Sequence, residues 1–236
     1  MSQALQISLL LSALLCSLAY WIVWASHDQI SLTGAAFKTA ATALLAILAL
    51  GEGAGSSFLI ALGLALGAGG DFALTRRGQT AFLLGMAAFA AGHLGYVAAF
   101  WLRAQSIAAN AQAPALSGFE LAALIGLAAL VFSTEVWLAP RTGALRWPVR
   151  GYVLVIGLMG GAAILLPPHP ENAGAGVLQT GAMLFILSDL LLALRLFVFP
   201  KGRPARALSL TLWPAYWLGQ TLILAGAVLY WLPFGL

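Results

Sequence analysis

Charged residues are scarce in this sequence. They make up 8% of its 236 residues, whereas hydrophobic residues make up 62%. Soluble domains carry about 25% charged residues, so this composition excludes an ordinary soluble domain and predicts a polytopic membrane protein. Cysteine is nearly absent, with Cys16 alone, which excludes an intrachain disulfide and a multi-cysteine metal site.

The small net charge of +4 does not indicate a nucleic-acid partner. The basic residues are scattered among the predicted loops, and no basic patch alternates with exposed aromatic residues. In a membrane protein such residues act as orientation signals. We therefore expect membrane lipid, and no nucleic acid, around this chain.

Long apolar runs fill most of the sequence. A membrane-spanning helix needs about 20 mostly apolar residues, and turn-forming Gly, Pro and Arg clusters divide the chain at suitable intervals. The predicted fold is all-α: a single membrane domain over residues 1–236 with eight transmembrane helices. The predicted spans are 4–25, 34–51, 57–75, 79–102, 117–138, 146–166, 174–197 and 210–232.

Basic residues lie almost entirely on one side of this predicted bundle. Arg103 is the exception, and the other ten Lys and Arg follow spans one, three, five and seven or begin the next span. They are Lys38, Arg76, Arg77, Arg141, Arg146, Arg150, Arg195, Lys201, Arg203 and Arg206. Because cytoplasmic loops are enriched in Lys and Arg, both termini are predicted on the non-cytoplasmic side. We expect a bacterial inner membrane, in which that side is the periplasm.

Two acids, Asp71 and Asp189, lie inside predicted spans. Asp71 precedes Arg76 by five residues and Asp189 precedes Arg195 by six, about 7–9 Å at the α-helical rise, so both lie at one depth in the cytoplasmic half. A charge within a membrane helix costs roughly 2.5–3.5 kcal/mol even on the mildest scales, and it usually marks a functional site. Their separation by four spans also suggests a weak four-plus-four pseudo-repeat.

We expect the two acids to face each other as a coupled pair. Neighbouring carboxyls in a low-dielectric site resist ionising together, so one stays protonated near neutral pH. Such a pair supplies a general acid and a general base. The structural alternative is that each acid caps a helix or pairs with Lys38 or an arginine.

Other polar residues collect at the same depth and predict a lined cavity open to the cytoplasmic leaflet. As candidate substrate-binding residues we identify Lys38, His93, Tyr96, Tyr152, Ser188, Tyr216 and Gln220. Each has an ordinary alternative: Lys38 could extend to the membrane interface, His93 could be a packing residue, and the tyrosines could belong to an aromatic belt. No role is assigned to Glu135, nor to the loop and helix-end residues Asp28, Glu52, Glu120, His169 and Glu171.

At these residues the chain resembles the YhhN family of lysoplasmalogenase-like integral membrane proteins. The short motifs are Gly70-Asp71-Phe72-Ala73-Leu74, Gly92-His93-Leu94-Gly95-Tyr96 and Ser188-Asp189-Leu190-Leu191-Leu192-Ala193, supported by Lys38, Pro148-Val149-Arg150-Gly151-Tyr152, Met159 and Tyr216-Trp217-Leu218-Gly219-Gln220. Their order over residues 30 to 230 carries the resemblance.

The resemblance implies a hydrolase that cleaves the vinyl-ether bond of lysoplasmalogens, with a lysophospholipid substrate and no metal or other cofactor. Products would be a fatty aldehyde and a glycerophospho head group. Vinyl-ether hydrolysis proceeds through an oxocarbenium ion, and oxocarbenium chemistry in glycosidases also uses two carboxyl groups. The expected catalytic residues are Asp71 and Asp189.

Three other functions compete with this one. A proton-coupled transporter of small molecules or lipids would use the same buried acids. A metal-dependent membrane hydrolase needs several intramembrane histidines, and only His93 qualifies. A non-catalytic lipid-binding protein would leave the two acids without a purpose.

Overall fold

The regular structure of the chain is helical throughout the part described. A computed structural model describes residues 1–27, 31–51, 57–108, 116–167 and 173–231, and these contain eight long α-helices and no strand. The helices are α1 Gln3–Val23, α2 Leu32–Leu50, α3 Ser57–Leu74, α4 Gln79–Ala108, α5 Gly118–Trp137, α6 Arg146–Ile164, α7 Gly174–Ala193 and α8 Gly202–Tyr230. The predicted all-α fold with eight helices is confirmed.

The helices are apolar enough to make this an integral, multi-pass membrane protein. Of those in the described ranges, seven are long and apolar enough to cross a membrane, and α3 is slightly shorter, apolar over Phe58–Leu74. Helix α8 begins eight residues before the predicted span. The prediction started after Arg203 and Arg206 because charged residues interrupt an apolar run, but they do not interrupt a helix. Gly202 allows this start with a φ of 83°, in the left-handed region.

The end of α7 also differs from a plain span. The chain continues from Ala193 into a π-helical turn over Leu194–Val198, and such turns are frequent at functional sites. Two short 3₁₀ turns, Ala139–Arg141 and Gly143–Leu145, connect α5 to α6.

Helices α7 and α8 pack with their backbones in contact. A Cβ atom at Gly181 would lie 2.6 Å from the backbone nitrogen of Ile223, and one at Gly219 would lie 2.9 Å from that of Phe185. Small residues permit such close approach where packing drives helix association in membranes. This contact brings the α7 segment that carries Asp189 against the α8 segment that carries Tyr216.

Helix α5 lies at the periphery of the bundle. None of its residues is buried, and it packs mainly on α6. Its N-terminus is closed by a capping box: the Ser117 hydroxyl accepts a hydrogen bond from the Glu120 backbone, and the Glu120 carboxylate accepts one from the Ser117 backbone at 2.7 Å. Glu120 therefore has a structural role. Asp28, Glu52, His169 and Glu171 lie outside the described residues.

Candidate active site

Asp71 lies at the centre of a buried polar group that we call the Asp71 group, formed by Lys38, Thr42, Asp71 and Tyr216. Lys38 and Thr42 are one turn apart on α2, so they share a face. The Lys38 ammonium lies 3.2 Å from Asp71 Oδ1, and the Thr42 and Tyr216 hydroxyls donate to Oδ2 at 3.0 and 2.8 Å. Three donors, one of them a cation, match an ionised carboxylate.

Lys38 is held inside the bundle by this ion pair. Its side chain is 12% exposed, and its ammonium lies 5.9 Å from the ring centre of Tyr20 and 5.8 Å from that of Trp213. Both distances fall within the range of cation–π attraction. Lys38 therefore pairs with Asp71 and does not extend to the membrane interface.

Two further predicted residues join the Asp71 group. The Tyr96 hydroxyl donates to Gln220 Oε1 at 2.5 Å, and the Gln220 amide donates to the Tyr216 hydroxyl at 3.5 Å. Tyr96 from α4 and Gln220 from α8 are 1% exposed. They support the Asp71 group from inside the bundle.

Asp189 has a different set of partners, which we call the Asp189 group: His93, Tyr152 and Asp189. The Tyr152 hydroxyl donates to Asp189 Oδ2 at 2.6 Å, and His93 Nε2 lies 3.6 Å from the same oxygen. His93 Nδ1 lies 2.5 Å from the carbonyl oxygen of Phe89, one turn earlier on α4. The acid is therefore held between α4 and α6.

One aromatic ring from α7 contacts both groups. Phe185 contacts the His93 ring at a centroid distance of 4.6 Å and the Tyr216 ring at 5.3 Å, edge-on in both cases. The predicted acids thus lie in adjacent groups, but their carboxyls are bound by different residues. The link between the groups runs through Phe185, which α7 places one turn before Asp189.

A cavity lined by α5 and its neighbouring helices lies against the Asp189 group. The cavity together with its opening to the outside amounts to about 840 Å³. Its wall is mostly aliphatic and aromatic, contributed by α3, α4, α5, α6, α7 and the π-helical turn. The hydroxyl and carboxyl groups in this wall belong to Thr134, Tyr152 and Asp189. The Thr134 hydroxyl donates to the backbone of Val131, which leaves Tyr152 and Asp189 as the reactive polar pair.

This cavity is more apolar than the polar cavity that the sequence predicts. Of the nine predicted site residues, Asp189 and Tyr152 line it, and the other seven are not part of its wall. Polar residues in a membrane bundle satisfy one another in the interior, because an unpaired polar group costs several kcal/mol in hydrocarbon. Ser188 illustrates this, since its hydroxyl donates to the Phe185 carbonyl at 2.7 Å.

Glu135 is paired at the protein surface, in keeping with an ordinary role. Arg150 donates to both of its carboxylate oxygens, with Nε at 2.8 and 3.0 Å, and bridges α5 to α6. No group of three or more His, Cys, Asp or Glu side chains suited to a metal ion occurs among the residues described.

Sequence reasoning missed Thr42, Phe89, Phe185 and the apolar cavity wall. Thr42 carried a signal, since it lies four residues after Lys38 and therefore on the same helical face. The wall residues carried none, because a leucine that faces a cavity has the same pattern as one that faces lipid.

Comparisons with known proteins agree with the motifs. The chain is 32% identical over 222 residues to "Lysoplasmalogenase TMEM86A" of Bos taurus, a match that covers 89% of this chain and 84% of the relative. It is 30% identical to the protein of the same name from Homo sapiens, with the same coverage. No solved structure matches the chain. The model of the YhhN family matches residues 33–227, and the chain therefore belongs to the YhhN family.

Proposed function

We propose that this protein is a lysoplasmalogenase: a membrane-embedded hydrolase that cleaves the vinyl-ether bond of lysoplasmalogens. The products are a fatty aldehyde and glycerophosphoethanolamine or glycerophosphocholine. One observation carries the proposal: Asp189, hydrogen-bonded to Tyr152, lies in the wall of an apolar cavity. A carboxyl group at the edge of a lipid-like space suits acid catalysis on an alkenyl chain. The names of the two TMEM86A relatives support it.

Asp189 is the acid in this proposal. Protonation of the double-bond carbon that does not bear the ether oxygen turns the vinyl ether into an oxocarbenium ion. Water then adds to the carbon that bears the ether oxygen. The resulting hemiacetal collapses to the aldehyde and the free glycerol hydroxyl. Tyr152 fixes the carboxyl of Asp189 and stabilises its anion once the proton has left, because hydrogen bonds to ionised acceptors are strong.

Asp71 supplies the second carboxyl of the proposed mechanism from behind the site. Lys38, Thr42 and Tyr216 hold it as an anion, and the Tyr216 ring contacts Phe89 at 5.8 Å, a residue of the cavity wall. In this role Asp71 keeps Tyr216 and the neighbouring rings in place, while the adjacent Lys38 ammonium balances its charge. The interior residues Tyr96 and Gln220 complete that support.

The substrate head group is proposed to stay near the basic side of the bundle while the chain occupies the cavity. That side carries the ten basic residues that predict a cytoplasmic face. The same bias leads us to propose that the reaction takes place in the cytoplasmic leaflet, and we propose a bacterial inner membrane as the location. Fractionation of inner and outer membranes tests the location.

The direct test is mass spectrometry of the purified protein incubated with lysoplasmenylethanolamine and, in parallel, with its acyl lysophospholipid analogue. Aldehyde release from the vinyl ether alone, unaffected by EDTA and lost in Asp189→Asn, supports the proposal. Glu135→Gln is the matched acid-to-amide control and is expected to keep activity. Cleavage of the acyl analogue instead would mean that the protein is a hydrolase with a different substrate. A folded protein that forms neither product would favour a lipid carrier.

A further inference from the structure

His93 has one ring nitrogen in use and one without a partner. Nδ1 lies 2.5 Å from the Phe89 carbonyl oxygen, which can only accept a hydrogen bond, so Nδ1 carries a proton. Nε2 has no hydrogen-bond partner, although the residue is 1% exposed. In the neutral ring this nitrogen therefore presents a lone pair inside the bundle.

The lone pair faces Asp189. Nε2 lies 3.6 Å from Asp189 Oδ2, slightly beyond direct hydrogen-bonding distance. An ionised carboxylate and a neutral imidazole nitrogen are both acceptors, so at this separation they repel each other unless a proton lies between them. Tyr152, which donates to the same Oδ2, does not remove this repulsion, because its proton points to the oxygen and not to the ring.

We propose that His93 and Asp189 share one proton, and that His93 is the positioning residue that keeps this proton in the site between turnovers. The inference rests on the proposed function for its chemistry, since it names the source of the proton given to the vinyl ether. His93 acts through Asp189, because Asp189 lines the cavity and His93 does not.

The proton balance closes over one turnover. The shared proton leaves the pair, and the alkenyl π electrons form a C–H bond with it, which leaves Asp189 as carboxylate and His93 neutral. Water adds to the oxocarbenium carbon, and its proton returns to the pair. In the collapse of the hemiacetal, the pair protonates the departing glycerol oxygen and receives the hydroxyl proton as the C–O bond breaks. The pair ends with one proton, as it began.

Nitrogen-15 NMR of the imidazole tests the pair without any turnover. The sequence contains three histidines, so His27→Gln with His169→Gln leaves His93 as the one labelled signal in the full-length protein. Chemical shifts separate protonated from unprotonated ring nitrogens. We expect a protonated Nδ1 in every sample, and an Nε2 shift displaced toward the protonated range at neutral pH. Asp189→Asn should return Nε2 to the range of a free lone pair.

Two control variants test whether the change in the Nε2 shift is specific to Asp189. Ser188→Ala removes a hydroxyl that bonds to the backbone and should leave Nε2 unchanged. Lys38→Met with Asp71→Asn removes both charges of the other group and should also leave it unchanged. An Nε2 shift that is the same in the Asp189→Asn sample as in the parent protein overturns the proposal.

Kinetics separate this inference from the proposed function. His93→Gln should lower kcat by about 100-fold, the lower end of general acid–base effects, with little change in KM. A displaced Nε2 signal in a protein that releases no aldehyde would uphold the proton pair and refute the lysoplasmalogenase. Aldehyde release by a protein whose Nε2 signal is not displaced would uphold the lysoplasmalogenase and refute the proton pair.

Discussion

Tyr152 and Asp189 join α6 to α7 by a hydrogen bond of 2.6 Å at the wall of the cavity. Loss of a hydrogen bond to an ionised group costs about 1.5–3 kcal/mol, and each 1.36 kcal/mol is tenfold in rate. Tyr152→Phe is therefore expected to lower kcat roughly 10–100-fold, as measured by aldehyde release. Tyr230→Phe is a control, because its hydroxyl bonds to the Pro167 carbonyl outside the cavity wall. Equal losses in both variants would contradict the assigned role of Tyr152.

The Lys38–Asp71 ion pair predicts strongly non-additive stability. Removal of one partner leaves a buried, uncompensated charge, which costs about 3–5 kcal/mol. Lys38→Met and Asp71→Asn should each lower the thermal unfolding temperature in detergent markedly, and the double variant should regain most of the loss. A double-mutant cycle measures this coupling. Additive losses would show that the charges do not interact.

Gly157 is expected to set the chain length that the cavity accepts. It lines the cavity, and a Cβ atom there would lie 2.9 Å from Val131 Cγ2. Gly157→Leu should raise KM for long alkenyl chains roughly tenfold or more relative to short ones, the scale of steric discrimination in apolar pockets.

Gly161→Leu, one turn further along α6, is the matched control, since a Cβ atom added at Gly161 would meet no side chain or neighbouring helix within 4 Å. It should leave the chain-length profile unchanged. An unchanged profile in the Gly157 variant as well would place the lipid chain elsewhere.

The predicted orientation can be tested at Lys201, just before α8. Cys16 is the single native cysteine, so Cys16→Ala with Lys201→Cys provides one reactive thiol. A membrane-impermeant maleimide should label it in inverted vesicles and not in intact cells. Labelling in intact cells would reverse the topology and place the termini in the cytoplasm.

The sequence predicted the helices well because a membrane span needs a long apolar run, and polar turns separate the runs clearly. It also predicted Asp71, Lys38 and Tyr216 as neighbours of one site, since polar side chains within a bundle seek each other at the same depth. Pairing of Lys38 with Asp71 had been expected only as the structural alternative.

The apolar wall of the cavity could not be predicted from the sequence, for a physical reason. Leu127 and Leu130 on α5 line it, while Leu121 on the same helix is exposed, and hydropathy treats all three alike. The division of the polar residues into two groups could not be predicted either. Phe185 lies between the groups, and in the sequence it is one more aromatic residue in an apolar run. Only the packing of α4, α7 and α8 reveals that this ring contacts both His93 and Tyr216.

The peripheral position of α5 has a consequence for how substrate range can change. This helix contributes one wall of the cavity, and none of its side chains is fully buried, although Leu127 and Leu130 pack against the edge of the core. Substitutions at its cavity-facing positions therefore reshape the space for the lipid while most core contacts stay intact. A library confined to Leu127, Leu130 and Val131 should therefore yield many folded variants with altered chain preference.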